Sequence, residues 1–301
     1  MSSFASVPGV VDVEHIRGAR AAADAPLDLL FEIPHGSTRT DDFTRVAAQL
    51  TSPLPDRLVD FFHVNTDSGA PELAVATARA FVAAEPTRSV AIVRCRTPRT
   101  FIDCNRRLDA SPDEFKAGKV GPGLMPWVTT AEDRALLRAA YDGYVTAVHA
   151  GVAQLAEDGA MVMLHTYAPR TVDVEVDLDI VTSLHAAYRP EVEPTWPLRP
   201  AVDVIGKAPD GSHHAPAGVV DVLRRELAAL GHGLGDSATY PLHPSTLAYQ
   251  HVIDRPGRTL CVELRRDLLS DPFRPFAQAE ISAAKVAPLA AALSTALRAW
   301  W

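Results

Sequence analysis

Hydrophobic residues along this chain fall into two recurring patterns. Short, nearly continuous apolar runs alternate with longer stretches whose apolar positions return every three or four residues. Leu27 to Pro34 (LDLLFEIP) is a run of the first kind, and it predicts a buried strand ending in a loop at Pro34-His35-Gly36. Ser89 to Arg94 (SVAIVR), Ala160 to Leu164 (AMVML), Ala201 to Ile205 and Thr259 to Leu264 (TLCVEL) read the same way. Thr100 to Asp103 (TFID) reads as a short strand entering a polar loop. Helical patterns lie between these runs. Ser68 is placed to cap a helix from about Pro71 to Val82, with Pro71 and Glu72 suited to its first turn. Thr129 to Asp158 is the clearest helix. Thr129 and Glu132 form a capping-box pattern, Leu137, Tyr141, Tyr144, Val148, Val152 and Leu155 recur at helical spacing, and Asp158-Gly159 ends it. Val219 to Leu230 predicts a helix stopped by Gly231, and Phe276 to Trp301 a closing amphipathic helix interrupted by Pro288.

Strands alternating with helices predict an α/β fold with a mostly parallel mixed sheet and helices on both faces. With no repeat and no low-complexity linker, the expectation is one domain over residues 1–301. Residues 171–198 break the rhythm. Their acidic alternation (VDVEVDLDI) is followed by Pro190, Pro194 and Pro197, and they predict a hairpin or a lid-like excursion.

Composition narrows the functional classes. A chain of 301 residues with 47% hydrophobic content can bury a large core. The formal net charge of -8 disfavours nucleic acid and anionic lipid as partners and leaves small molecules as the expected ones. No apolar run approaches the length of a membrane span, and Met1 to Val11 lacks the features of a secretory signal. Cys95, Cys104 and Cys261 lie in or beside expected strands and form no CxxC pair, so they are expected as buried free thiols in a cytoplasmic protein.

Ligands of open α/β sheets gather beyond the carboxyl ends of the strands. Three apolar runs deliver a polar residue there: His35 after LLFEIP, His165 after AMVML, and Glu263 near the end of TLCVEL. A hydrolytic zinc needs three protein ligands of the His and carboxylate type and an open position for water. His35 and His165 supply two. Asp67 is the best carboxylate for the third, since it precedes a helix and sits between strands, and Glu72 is the weaker choice. The competing reading is that each histidine merely caps a strand end. There is no GxSxG elbow, P-loop or GxGxxG to support a serine hydrolase or a nucleotide-binding protein.

Five segments, in order, resemble the N-formylglutamate amidohydrolase family. They are Ile33-Pro34-His35-Gly36-Ser37, Asp67-Ser68-Gly69-Ala70 with Glu72-Leu73-Ala74, Phe101-Ile102-Asp103-Cys104-Asn105-Arg106, His165-Thr166-Tyr167-Ala168-Pro169, and Val262-Glu263-Leu264-Arg265-Arg266-Asp267-Leu268. Arg199-Pro200 resembles an RP pair that precedes a family strand. The resemblance implies a phosphorylase/hydrolase-like fold related to zinc carboxypeptidases and amide hydrolysis with one metal. It implies that His35, Asp67 and His165 hold Zn2+ and that Glu263 is the general base. Iron(II), manganese or cobalt could occupy the same ligand set.

Arg106 is a candidate clamp for a substrate carboxylate, or else a salt-bridge partner of Asp103; Arg99 is a second candidate. Arg265 shares a strand face with Glu263 if the strand continues, and it otherwise pairs with Asp267. Tyr240 and His251 flank a loop that contains Thr246 and whose arrangement is similar to that of relatives. The resemblance makes Tyr240 and Thr246 substrate contacts and His251 a group that meets the oxyanion or the substrate, against the alternative of a surface-loop histidine. His149, His185 and His213-His214 have weaker claims. The block Arg96-Thr97-Pro98-Arg99-Thr100-Phe101 and residues 171–198 depart from the family pattern where a substrate side chain would be read. The expectation is therefore hydrolysis of an amide C–N bond in a small carboxylate-bearing N-formyl or N-acyl amino acid. The rivals are carboxypeptidase-like trimming of a peptide and a metal-free binding protein on the same fold.

Overall fold

The computed structural model describes residues 4–301, so the first three residues of the N-terminal segment read above lie outside the described residues. Seven strands form one mixed sheet. They are β1 (Val11–Arg17), β2 (Leu27–Ile33), β3 (Ser89–Cys95), β4 (Leu155–Tyr167), β5 (Val202–Val204), β6 (Leu234–Asp236) and β7 (Thr259–Arg265). The order across the sheet is β1-β3-β2-β4-β7-β5-β6. The central strands β3, β2, β4 and β7 run parallel, while β1 and β5 run antiparallel to their neighbours β3 and β7. All four central carboxyl ends therefore open on one edge.

The central strands are buried on both faces, which explains their continuous apolar character. Leu29, Phe31 and Ile33 of β2 pack into one core with the helices α3 (Ala70–Ala84), α7 (Ala217–Ala229) and α9 (Ala283–Leu297). Leu30, on the opposite face, and Leu27, beyond an irregularity between Leu27 and Leu29, face a second core that includes Leu137, Tyr141 and Tyr144 of α5 (Ala131–Val152). The remaining helices are α1 (Thr40–Ala47), α2 (Leu58–Asn65), α4 (Pro112–Ala117), α6 (Ile180–Ala187) and α8 (Leu247–Asp254). Glu32 is the polar exception beneath the sheet. It is fully buried, accepts a hydrogen bond from Tyr144 Oη at 3.0 Å, and has no partner at its second oxygen.

Several local expectations are corrected. The α3 cap is Gly69 and not Ser68, because the chain enters the helix through a left-handed turn (φ 91°) and a Cβ there would come within 2.8 Å of Leu269. The capping residue of α5 is Thr130, which accepts from the Asp133 amide, and the chain then turns directly into β4 at Leu155. Residues 100–103 form a turn, not a strand. Phe101 N donates to the Pro98 carbonyl, and only Ile102 makes a bridge, to Leu124. Residues 171–198 form no hairpin. They run without regular secondary structure to α6, and a short 3₁₀ turn follows at Glu193–Thr195. The closing helix starts at Ala283 and runs through Pro288 unbroken, with that proline on its exposed side.

Candidate active site

His35 leaves β2 through a tight turn. A Cβ on Gly36 would come within 2.5 Å of Arg94 Cγ and 3.1 Å of the Ile33 carbonyl, so only glycine lets the chain turn here without displacement. Asp67 stands two residues before the α3 cap, and its amide donates to the His35 carbonyl. His165 lies near the end of β4, in register with Glu263 of β7. Parallel neighbours in register share a sheet face, so both side chains project on the same side.

These elements bring His35, Asp67 and His165 together, as the only group of three among the described residues that could hold a metal ion. Asp67 Oδ2 lies 3.2 Å from His35 Nδ1 and 3.0 Å from His165 Nδ1. The edge of a tetrahedron with bonds of about 2.0–2.1 Å is about 3.3 Å, so the spacing fits a small divalent ion. Two further observations fit it. Asp67 Oδ1 is buried without a hydrogen-bond partner. His35 Nε2 sits 2.8 Å from Asp103 Oδ1, an arrangement in which a carboxylate orients a histidine ligand. Burial alone would raise the Asp67 pKa, but the neighbouring charges of His35 and His165 and their hydrogen bonds hold it well below the usual carboxylate range.

Asp103 is the hub behind this group. Its Oδ1 also accepts from the Asn105 amide at 2.8 Å, and its Oδ2 lies 2.9 Å from Arg99 and 3.3 Å from Arg106. The turn that carries it is anchored by fully buried Phe101 and by Trp127, whose indole donates to the Thr100 carbonyl. Against the cost of burial, Arg106, His35 and Arg99 keep the Asp103 carboxyl ionised to well below the ordinary range.

A cavity of about 230 Å³ opens over the three side chains. Glu263 lines it, and burial raises the pKa of this carboxyl against the opposing charge of His165. Arg99, Arg106, Tyr240 and Thr246 line it as well. Thr246 spends its hydroxyl on the cap of α8, accepting from the Tyr249 amide and donating to the His243 carbonyl. Arg265 and His251 are not among the lining residues. Arg265 forms a two-point ion pair with Asp267, at 3.1 Å on each branch. His251 belongs to α8 and not to a loop. It is buried beside His149, with ring centroids 6.3 Å apart, and burial together with that neighbour lowers its pKa to about 4. That position corrects the expectation that it meets the oxyanion.

Two arginines gain importance from the structure. Arg199 lines the cavity with only neutral partners: Thr171 Oγ1, the Ala168 carbonyl and the Tyr240 hydroxyl at 2.9 Å. Arg266 is 3% exposed and donates to the Val64 and Thr166 carbonyls. β7 does continue to Arg265, but that side chain takes the alternative pairing with Asp267, and the 3₁₀ turn at Arg266–Leu268 sends the next side chain inward. The Arg-Pro pair was the available signal for Arg199.

The profile of the N-formylglutamate amidohydrolase family matches residues 27–270. The chain belongs to that family. Its fold is similar to those of two solved structures. The N-formylglutamate amidohydrolase of Ralstonia eutropha JMP134 superposes with a TM-score of 0.57 at 17% identity, covering 96% of each chain. A gene product of Agrobacterium tumefaciens gives a TM-score of 0.55 at 16% identity over 99% of this chain and 98% of its own. No curated protein matches the sequence. Family membership points to a hydrolase acting on an N-formylglutamate-like amide. No helix among the described residues is long and apolar enough to cross a membrane.

Proposed function

We propose that this protein is a metal-dependent amidohydrolase that cleaves the C–N bond of an N-formyl or N-acyl amino acid. The convergence of two imidazole nitrogens on one carboxylate oxygen of Asp67, beside a cavity-facing glutamate, carries this reading. His35, Asp67 and His165 would hold the ion, with zinc the best match to the donor set. A bound zinc ion lowers the pKa of water towards neutrality and polarises a carbonyl.

The chain's own residues supply the rest. Glu263 removes a proton from the attacking water, whose oxygen bonds to the acyl carbon, and returns that proton to the amine nitrogen as the C–N bond breaks. Burial raises the pKa of Glu263, the direction that favours a carboxyl able to hold the proton it takes. Asp103 fixes the ring of His35, and it also neutralises Arg99 and Arg106. Arg199, with no carboxylate partner, is the cation best placed to take a substrate carboxylate.

The test is to strip the protein with chelator, reload it with zinc, manganese or cobalt, and measure formate release from N-formyl amino acids alongside dipeptide cleavage. One equivalent of metal should restore formate release, with little dipeptide cleavage. Full activity in metal-free protein, or dipeptides as the better substrates, would reject the reading.

A further inference from the structure

We propose that the substrate carries an apolar side chain, read by a wall that the 171–198 segment builds over the cavity. The proposal rests on the amidohydrolase reading and names the substrate class of the same site.

Val172, Val174 and Val176 line the cavity, while the intervening Asp173 and Glu175 are exposed. The two-residue alternation of an extended chain thus survives here without a partner strand, and it sorts valines inward and carboxylates outward. The segment continues into α6, which adds Ile180 and Leu184, and Tyr188 follows. This wall is pinned from outside. His185 on α6 lies 2.7 Å from Asp60 on α2, and its ring stacks on Phe276 at 4.1 Å.

Charge in the cavity leaves room for one carboxylate. Arg99 and Arg106 share Asp103. The terminal nitrogens of Arg266 are bound to backbone carbonyls. Arg199 has only neutral partners, so it takes the α-carboxylate. Of the other two cations of the lining, Arg170 donates to the Trp196 carbonyl and Lys119 is an exposed residue. A second, side-chain carboxylate would face valine and leucine side chains and lose its hydration without gaining a partner. A branched aliphatic or aromatic side chain would bury apolar surface against the same wall.

The experiment compares N-formyl-L-leucine, N-formyl-L-phenylalanine, N-formylglycine and N-formyl-L-glutamate with zinc-loaded protein. The leucine or phenylalanine derivative should exceed the glutamate derivative by about tenfold or more in kcat/KM. Glutamate equal or better would overturn the inference and leave the amidohydrolase reading standing. If none is hydrolysed, that reading falls, and calorimetric titration with the same compounds decides the wall by itself. Tighter binding of the leucine derivative upholds it, and equal or weaker binding overturns it. Two variants sharpen the test. Val174→Arg should shift the leucine-to-glutamate ratio towards glutamate, and Val174→Ala should lower the leucine rate several-fold with an unchanged melting temperature. An unmoved ratio in both would overturn the assignment of this wall.

Discussion

The two halves of the cavity are built on different principles. The floor is made of side chains at the ends of central strands and in the turns beside them, with His165 and Glu263 fixed in register and face by the sheet. The wall is made of an extended segment, a two-turn helix and a loop, all held by side-chain contacts. The floor gathers charged groups into a connected network around Asp67 and Asp103. The wall offers mainly hydrocarbon. A catalytic floor of this kind tolerates almost no change, whereas a wall on loops can be rebuilt without disturbing the sheet. On the proposed reading, chemistry and specificity should therefore be separable by mutation.

The largest effect should follow from breaking the floor. His165→Ala removes a proposed metal ligand and should abolish stoichiometric zinc binding, with at least about a thousandfold loss of activity. Elemental analysis beside turnover checks it, and full zinc occupancy in the variant would reject the ligand assignment. Glu263→Gln should keep the metal and lose about a hundredfold or more in kcat. Near-normal turnover would remove Glu263 as the base. Asp103→Asn should act one step further out, weakening metal affinity by about ten- to a hundredfold, because His35 loses its orienting carboxylate. A competition titration with a zinc chelator measures this, and unchanged affinity would show that Asp103 serves only its two arginines.

The smallest effect lies beneath the floor, at Glu32. Burial raises its pKa from the ordinary 4.5 to about 8, against the opposing hydrogen bond from Tyr144. The folded protein thus keeps a proton that the unfolded chain releases. Its contribution is fully present below about pH 4.5 and is lost as pH rises towards 8. The loss amounts to a few kcal/mol at most, on the order of one kcal/mol per pKa unit. Glu32→Gln, which keeps the acceptor for Tyr144, should flatten the pH dependence of Tm in that window and raise Tm by a few degrees at pH 8. Parallel Tm profiles for the two proteins would show that Glu32 is not the group responsible.

The same contrast explains what could be read in the sequence. The central strands announced themselves as apolar runs, because burial on both faces leaves little freedom in residue type. His35, Asp67 and His165 could be picked out since they follow such runs or precede a helix. β1 was not legible, because an edge strand half in water alternates weakly. α6 and α8 were hidden by their surroundings, acidic alternation in one case and Pro241 and Pro244 in the other. Alternation along β7 singles out Arg265, whereas the 3₁₀ turn that follows, and with it the inward course of Arg266, leaves no periodic signal. The part played by Arg199 depends on which partners it lacks, and only three-dimensional neighbours reveal that.

The in-register pairing of residues 165 and 263 also constrains how such a chain can diverge. The two side chains reach the same place only while β4 and β7 keep their relative phase. One residue inserted into either strand ahead of them would swing an imidazole or a carboxyl through the sheet to the opposite layer. Length changes among relatives should accordingly collect in connecting segments, with the two strands acting as a ruler whose divisions cannot be redrawn.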